Sequence, residues 1–155
     1  MRCSWFAQNF TEGFLTDLLR TGELAFPAGQ VAEPFIDAGD VADVAVAALT
    51  DDRHIGQVYE MSGPRLLTFG DAAAELSAAI GRPLRYRPIT FDQFADALIQ
   101  AGAPAEAVSA TVAVLQEILD GRNAHLADGV QRALGRQASD FADYARATAR
   151  TAVRV

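Results

Sequence analysis

The sequence predicts an α/β fold in which short strands and helices alternate through the first half and helices alone follow. Apolar residues recur at helical spacing along most of the chain, and short alternating segments bounded by glycine and proline lie between them. Half of the 155 residues are hydrophobic. A chain of this length and composition can bury enough apolar surface to form a folded core.

The first elements follow from the spacing of apolar residues. Residues 5–20 are expected to form a helix, because phenylalanine or leucine stands at every fourth position from Phe6 to Leu18. Two short strands are expected next, at residues 23–27 and 34–37. These elements make up the first α/β part of the chain.

A second helix and a third strand complete the first half. Asp40 is expected to cap a helix that runs to about Leu49, with Asp43 in the positively polarised first turn. The alternating segment 57–62 is expected to be a strand, since a Gly-Pro pair ends it.

Two capping boxes organise the second half. Thr68 with Asp71 and Thr90 with Gln93 each predict the start of a helix, and residues 84–88 between them read as a strand. Three further helices are expected: one from Pro104 to residue 121, a short one at 128–134, and a last one from residue 139.

Composition excludes several classes of function. The net charge is −7 and the chain has no lysine, so a nucleic-acid surface, a lysine Schiff base and a Tyr/Lys proton relay are not expected. No apolar run approaches the roughly 20 residues that span a bilayer, so no membrane association is expected. A single cysteine precludes an internal disulfide and favours the cytoplasm.

Isolated polar residues have ordinary structural interpretations. Cys3 is expected to be a small buried residue rather than a nucleophile. His54 and His125 are expected at the surface, because neither has the spacing of a metal ligand. We therefore predict no catalytic residue and no metal site within this chain.

Several motifs, in order, resemble one family. Segment 2–10 is similar to an Arg-Pro-x-x-Phe-Met-Gln-Asn motif, and residues 34–42 (PFIDAGDVA) are similar to an "ID…DVA" element. Residues 56–64, 67–69 and 80–83 follow a "G-x-x-Y-x-x-x-G-P … L-T … G-R-P" progression, and residues 134–141 resemble an "L-G-R-x-x-x-x-F" ending. Together they resemble the C-terminal half of NmrA-like atypical short-chain dehydrogenases/reductases, in particular agroclavine dehydrogenase-like members.

The resemblance implies the C-terminal part of a Rossmann-like fold, with short strands followed by a helical substrate-binding subdomain. Residues 1–64 would be the remnant of the Rossmann edge, and residues 65–155 the mainly helical subdomain. By the same resemblance, two residues would border the cofactor once the nucleotide-binding half is present: Trp5 and Phe6. Five residues would contact the substrate, or pack as core in the alternative interpretation: Asn9, Phe91, Phe94, Leu98 and Leu115.

The expected function is that of the substrate side of an NAD(P)H-dependent oxidoreductase acting on a small organic acceptor. The glycine-rich dinucleotide turn of such enzymes is not found in this sequence, so the chain alone is expected to bind no NAD(P)H and to be inactive. The alternative is a non-catalytic regulatory or protein-binding module. Self-association, or a partner that supplies the nucleotide-binding half, is expected. The substrate and the choice between NADH and NADPH stay open.

Overall fold

A computed structural model describes residues 1–13, 15–16 and 20–152. In order, its elements are β1 (Arg2–Cys3), a 3-10 helix (Ala7–Phe10), β2 (Glu23–Phe26), β3 (Ala32–Glu33), α1 (Ala38–Thr50), a 3-10 turn (Asp52–His54), β4 (Glu60–Met61), β5 (Leu67–Thr68), α2 (Phe69–Ile80), β6 (Arg85–Pro88), α3 (Phe91–Gln100), α4 (Ala105–Ile118), α5 (Gly129–Leu134) and α6 (Phe141–Ala152). The predicted mixed α/β class is therefore confirmed.

The strands form short two-stranded ladders. β1 pairs with β4 and β2 with β6, both in parallel, whereas β3 and β5 are antiparallel. The β2–β6 ladder sets Glu23 opposite Arg85 and Phe26 opposite Pro88. Parallel pairing across such long sequence separations needs crossover connections, and helices supply them here.

Two apolar clusters hold these elements together. The larger one centres on contacting aromatic rings and joins β2 and α2 to α6; its fully buried rings include Phe10, Phe26 and Phe69. The smaller one packs α1 against α5 through Ile36, Val44 and neighbouring side chains. Burial of these side chains is the main favourable contribution to folding.

Both predicted capping boxes are present. The Thr68 hydroxyl accepts a hydrogen bond from the Asp71 amide at 3.0 Å, and the Asp71 carboxylate accepts one from the Thr68 amide. Thr90 and Gln93 do the same at the start of α3. These local patterns predict helix starts well because the bonds join residues three positions apart.

The N-terminal segment differs from the predicted helix over residues 5–20. Among its described residues a 3-10 helix forms at Ala7–Phe10 and Arg20 is helical; Phe14 and Leu18 lie outside the described residues. The physical reason is tertiary pairing: the Ala7 amide donates to the Ile36 carbonyl at 2.8 Å, and the Ile36 amide donates to the Trp5 carbonyl at 2.9 Å. Strand-like pairing thus replaces the expected first helical turn.

The helix cap of α1 was also predicted at the wrong aspartate. Asp37 is the N-cap, and its carboxylate accepts a hydrogen bond from the Gly39 amide at 2.7 Å. Asp40 is buried in the first turn and binds Arg136, while Asp43 binds the same guanidinium. The expected strand at residues 34–37 lies two positions earlier, at Ala32–Glu33, with an isolated bridge between Phe6 and Ile36.

His54 is buried, contrary to the predicted surface position. Its Nδ1 lies 2.7 Å from the Tyr59 hydroxyl, which gives both polar groups a partner away from solvent. The Arg132 guanidinium lies over the Tyr59 ring, 5.4 Å from the centroid. Among the described helices, none is both long and apolar enough to cross a membrane.

Candidate functional site

A large open cleft of about 1150 Å³ lies among the described residues. Strands β1, β2 and β4 and the end of β3 form one side, and helices α3 and α4 form the other. Most of the lining is apolar, with a small number of charged side chains among it. This combination is typical of small-molecule binding sites.

Trp5 is fixed in the cleft wall by the aromatic core. Its ring meets Phe69 edge-on with centroids 5.5 Å apart, and Phe26 at 6.2 Å. The backbone is held as well, because the Trp5 carbonyl accepts the Ile36 amide. Edge-to-face packing of this kind restricts the indole to one orientation. Trp5 therefore presents a rigid aromatic surface to the cleft.

Helices α3 and α4 supply the opposite wall. Phe94 and Leu98 lie one turn apart on α3, and Leu115 projects from α4. Phe94 meets Phe26 edge-on at 5.6 Å, which connects this wall to strand β2. α3 has no buried residue along its length, so it covers the cleft from the solvent side.

The structure brings five of the seven residues singled out in the sequence to this cleft: Trp5, Asn9, Phe94, Leu98 and Leu115. The other two, Phe6 and Phe91, are not among the described lining residues. Phe6 is 37% exposed and bridges to Ile36, and Phe91 packs against the larger apolar cluster. The roles of all seven stay predictions.

Glu33 is the unexpected residue of the cleft. It ends β3, its side chain is fully buried, and neither carboxylate oxygen has a hydrogen-bond partner among the described residues. Burial raises the pKa of this carboxyl from its usual value near 4.5 to about 7, and the positive charge of His125 only partly offsets that rise. Glu33 is thus the least compensated charge of the structure that is described.

The rim of the cleft carries further polar groups. His125 lies 3.2 Å from Glu60, and both side chains are more than half exposed. Cys3 is exposed at the rim, contrary to the expected buried position, because its two-residue strand β1 pairs with β4 at the molecular surface. Partial burial raises the pKa of the Cys3 thiol, which disfavours the reactive thiolate.

Sequence reasoning missed Glu33 because a glutamate before a proline looks like an ordinary loop residue. One local signal was available: residues 31–36 are apolar apart from this glutamate. An acidic residue within a buried apolar segment is unusual, since such residues are almost never fully buried without a partner. The absence of that partner is visible only in three dimensions.

Two glycines, Gly63 and Gly129, are enclosed by backbone of the same chain. Gly63 follows β4, but a Cβ atom at this position would lie 2.0 Å from the Phe35 carbonyl oxygen, so backbone of the same chain already fills the space beside it. Gly129 is closed in the same way, 2.2 Å from the Glu60 carbonyl oxygen. At these two positions glycine serves close backbone packing.

Comparison with known proteins gives clear relatives. No family model matches the chain. It is 39% identical over 128 residues to an NAD(P)H azoreductase of Xenophilus azovorans, covering 83% of this chain and 45% of that protein. It is 31% identical over 147 residues to agroclavine dehydrogenase of Claviceps fusiformis, covering 93% of this chain and 51% of that protein.

The fold has solved counterparts as well. The NADPH-dependent quinone oxidoreductase QOR2 of Escherichia coli, in complex with NADPH, superposes with a TM-score of 0.79 at 22% identity. That match covers 95% of this chain and 52% of the solved chain. The chain therefore spans about half the length of the relatives and structures that it matches.

Proposed function

This chain belongs to the NmrA-like family of atypical short-chain dehydrogenases/reductases, and on that premise we propose that it forms the substrate side of an NAD(P)H-dependent oxidoreductase. The observation that carries the proposal is the cleft of about 1150 Å³ with its rigid aromatic wall. Its apolar lining suits a small organic acceptor such as a quinone, an imine or an enone.

The proposal assigns different roles to the two parts of the chain. Residues 1–64 form the edge of a Rossmann-like domain, and residues 65–155 form the substrate subdomain. Trp5 and Phe6 border the nicotinamide when the cofactor is present. The substrate lies against Asn9, Phe94, Leu98 and Leu115, while Phe91 supports this wall from the larger apolar cluster.

NAD(P)H is held by a nucleotide-binding unit outside these residues. The closed backbone around Gly63 and Gly129 supports this assignment. The cofactor supplies a hydride when bound, and the residues described above bind, orient and shield the acceptor. On their own, these 155 residues are then inactive as a reductase, and an exposed Cys3 thiol suits a reducing cytoplasm.

A partner surface is part of the proposal. Val46 and Leu49 lie three positions apart on α1 and are 61% and 86% exposed, and Ile55 and Val58 after the helix are also exposed. Large exposed apolar side chains of this kind are common at protein interfaces. This face would contact the nucleotide-binding unit, or a second copy of the chain when that unit is absent.

The test is a fluorescence titration that uses Trp5, the single tryptophan of the sequence. Menadione, a small quinone, is expected to quench Trp5 saturably, because the indole faces the cleft. NADPH is expected to give no saturable quenching with the chain alone. Sedimentation velocity on the same sample reports whether the chain associates with itself.

A matched pair of variants locates the binding. Leu98→Asp places a charge in the cleft and is expected to weaken menadione binding at least tenfold, whereas Ile99→Asp, on the exposed side of the same helix, leaves it unchanged. Saturable micromolar binding of NADPH would contradict the assignment of the cofactor to another unit. Failure of menadione to bind would favour the regulatory module instead.

A further inference from the structure

Glu33 carries a charge whose partner is not provided by the described residues. Both of its oxygens are buried, and no hydrogen bond from a described residue reaches them. The backbone cannot easily move the residue away, because β3 is held in register with β5 by the pairing of Glu33 with Leu67. A carboxylate kept out of water without a partner is unfavourable, so a ligand that supplies the partner binds with an advantage.

The other charged groups of the cleft are already engaged or lie at its rim. Glu60 of β4 pairs with His125 from the loop before α5, at 3.2 Å. Glu23 of β2 pairs with Arg87 of β6 at 2.7 Å. Arg2 of β1 is exposed and stands opposite Glu60 in the β1–β4 ladder. Glu33 is therefore the carboxylate of the cleft that is left for a ligand.

The rest of the cleft suits a planar aromatic group. Along its wall, Phe26 meets Trp5 edge-on at 6.2 Å between centroids and Phe94 edge-on at 5.6 Å. Aromatic faces attract organic cations as well as neutral rings, especially where water is excluded. A buried carboxylate beside aromatic walls thus favours ligands that combine a flat ring with a positive nitrogen.

We propose that Glu33 recognises a basic nitrogen of the substrate, so that the cleft selects planar organic cations. The carboxylate turns from the wall into the cleft and forms an ion pair with the protonated nitrogen, while the rings flank the aromatic part. This inference rests on the proposed function, because it names the substrate class of the same cleft. It does not depend on the cofactor, since it concerns binding alone.

The experiment compares two ligands of similar shape on the 155-residue chain. Proflavine is a planar tricyclic cation at neutral pH, and hydroxymethylanthracene is a neutral tricyclic molecule. Proflavine is followed by fluorescence anisotropy, and the neutral ligand by quenching of Trp5. Proflavine is expected to bind at least tenfold more tightly than the neutral ligand at about pH 8, and its advantage is expected to shrink at about pH 6, where Glu33 takes up a proton.

Glu33→Gln keeps the shape of the side chain and removes its charge. It is expected to abolish the preference for proflavine and its pH dependence, and to leave the affinity for the neutral ligand within about twofold. Glu60→Gln is the control, since Glu60 is exposed and already paired with His125. Persistence of the pH dependence in Glu33→Gln would overturn the proposal.

The outcomes separate this inference from the proposed function. Equal binding of both ligands to the wild-type chain would overturn cation recognition and leave the cleft a substrate site. Loss of proflavine binding in Glu60→Gln, but not in Glu33→Gln, would place the cation at the rim and also overturn the inference. Binding of neither ligand would count against the cleft itself, and so against both proposals.

Discussion

Two buried carboxylates, Glu33 and Asp40, lie seven positions apart and have opposite surroundings. Both are almost fully buried, at 0% and 2% exposure. Asp40 accepts a hydrogen bond from Arg136 at 2.6 Å, from the Ser139 amide at 2.6 Å and from the Ser139 hydroxyl at 3.2 Å. Glu33 accepts none from the described residues. Depth of burial alone therefore does not predict whether a carboxylate stabilises the fold or is available to a ligand.

The difference follows from where each carboxylate lies. Asp40 sits between α1 and the segment that joins α5 to α6, so its bonds connect parts of the chain about a hundred residues apart. Glu33 lies in the wall of the cleft, where no hydrogen-bond donor of the described residues reaches its carboxylate. A satisfied buried charge fixes the fold, whereas an unsatisfied one lowers stability and leaves binding capacity for a ligand.

The largest effect is expected for Asp40→Ala. It leaves the Ser139 amide and the Arg136 guanidinium without their acceptor, and we expect the free energy of unfolding to fall by about 3 to 4 kcal/mol. Urea denaturation measures it. Asp43→Ala is the control, because Asp43 binds the same arginine but is 62% exposed, and a loss of about 0.5 kcal/mol or less is expected there. Equal losses of unfolding free energy in the two variants would show that burial does not decide how much an aspartate on α1 stabilises the fold.

The second effect is a pH dependence caused by Glu33. Its pKa is about 7 in the folded chain and near 4.5 when unfolded, so the folded state holds the proton more tightly. The contribution of Glu33 to stability is therefore most favourable at low pH and falls as the pH rises from about 4.5 through about 7, by roughly 3 kcal/mol in total. Glu33→Gln is expected to flatten this part of the profile and to be more stable than the wild type at about pH 8.

The measurement is urea denaturation at several pH values between about 5 and 8. The quantity of interest is the difference between wild type and Glu33→Gln, since other groups titrate in both proteins. Glu60→Gln is expected to follow the wild-type profile, because Glu60 is exposed at the rim. A pH-independent difference between wild type and Glu33→Gln would mean that folding does not raise the pKa of this carboxyl.

Sequence patterns confined to a few neighbouring residues predicted the secondary structure most reliably. The helix starts at Thr68 and Thr90 were predicted correctly because each capping box is complete within four residues. The cap at Asp40 was predicted wrongly because Asp37 and Asp40 are both good caps locally. Their roles are decided by Arg136, which is 96 residues distant in sequence from Asp40.

The candidate site could be predicted only in outline. Family resemblance pointed to Trp5, Asn9, Phe94 and Leu98, all of which lie along one cleft. Glu33 could not be found in this way, because no local sequence pattern indicates that its carboxylate lacks a hydrogen-bond partner among the described residues. A sequence lists the groups that are able to pair, and only the fold decides which of them are left without a partner.

The smallest effect is expected for Arg136→Met. This variant removes the charged partner of Asp40, so that Asp40, like Glu33, is a buried carboxylate without an ion pair among the described residues. Methionine keeps much of the apolar stem but removes the guanidinium, while the Ser139 amide still serves the carboxylate. We expect a loss of about 1 to 2 kcal/mol in urea denaturation, less than for Asp40→Ala, because Arg136 is 42% exposed and solvent takes over part of its role.

The double variant Asp40→Ala with Arg136→Met is expected to lose no more than Asp40→Ala alone, since the second change removes an arginine that has already lost its buried partner. Additive losses would show that Arg136 stabilises the fold independently of Asp40, and the contrast with Glu33 would then rest on the Ser139 bonds alone.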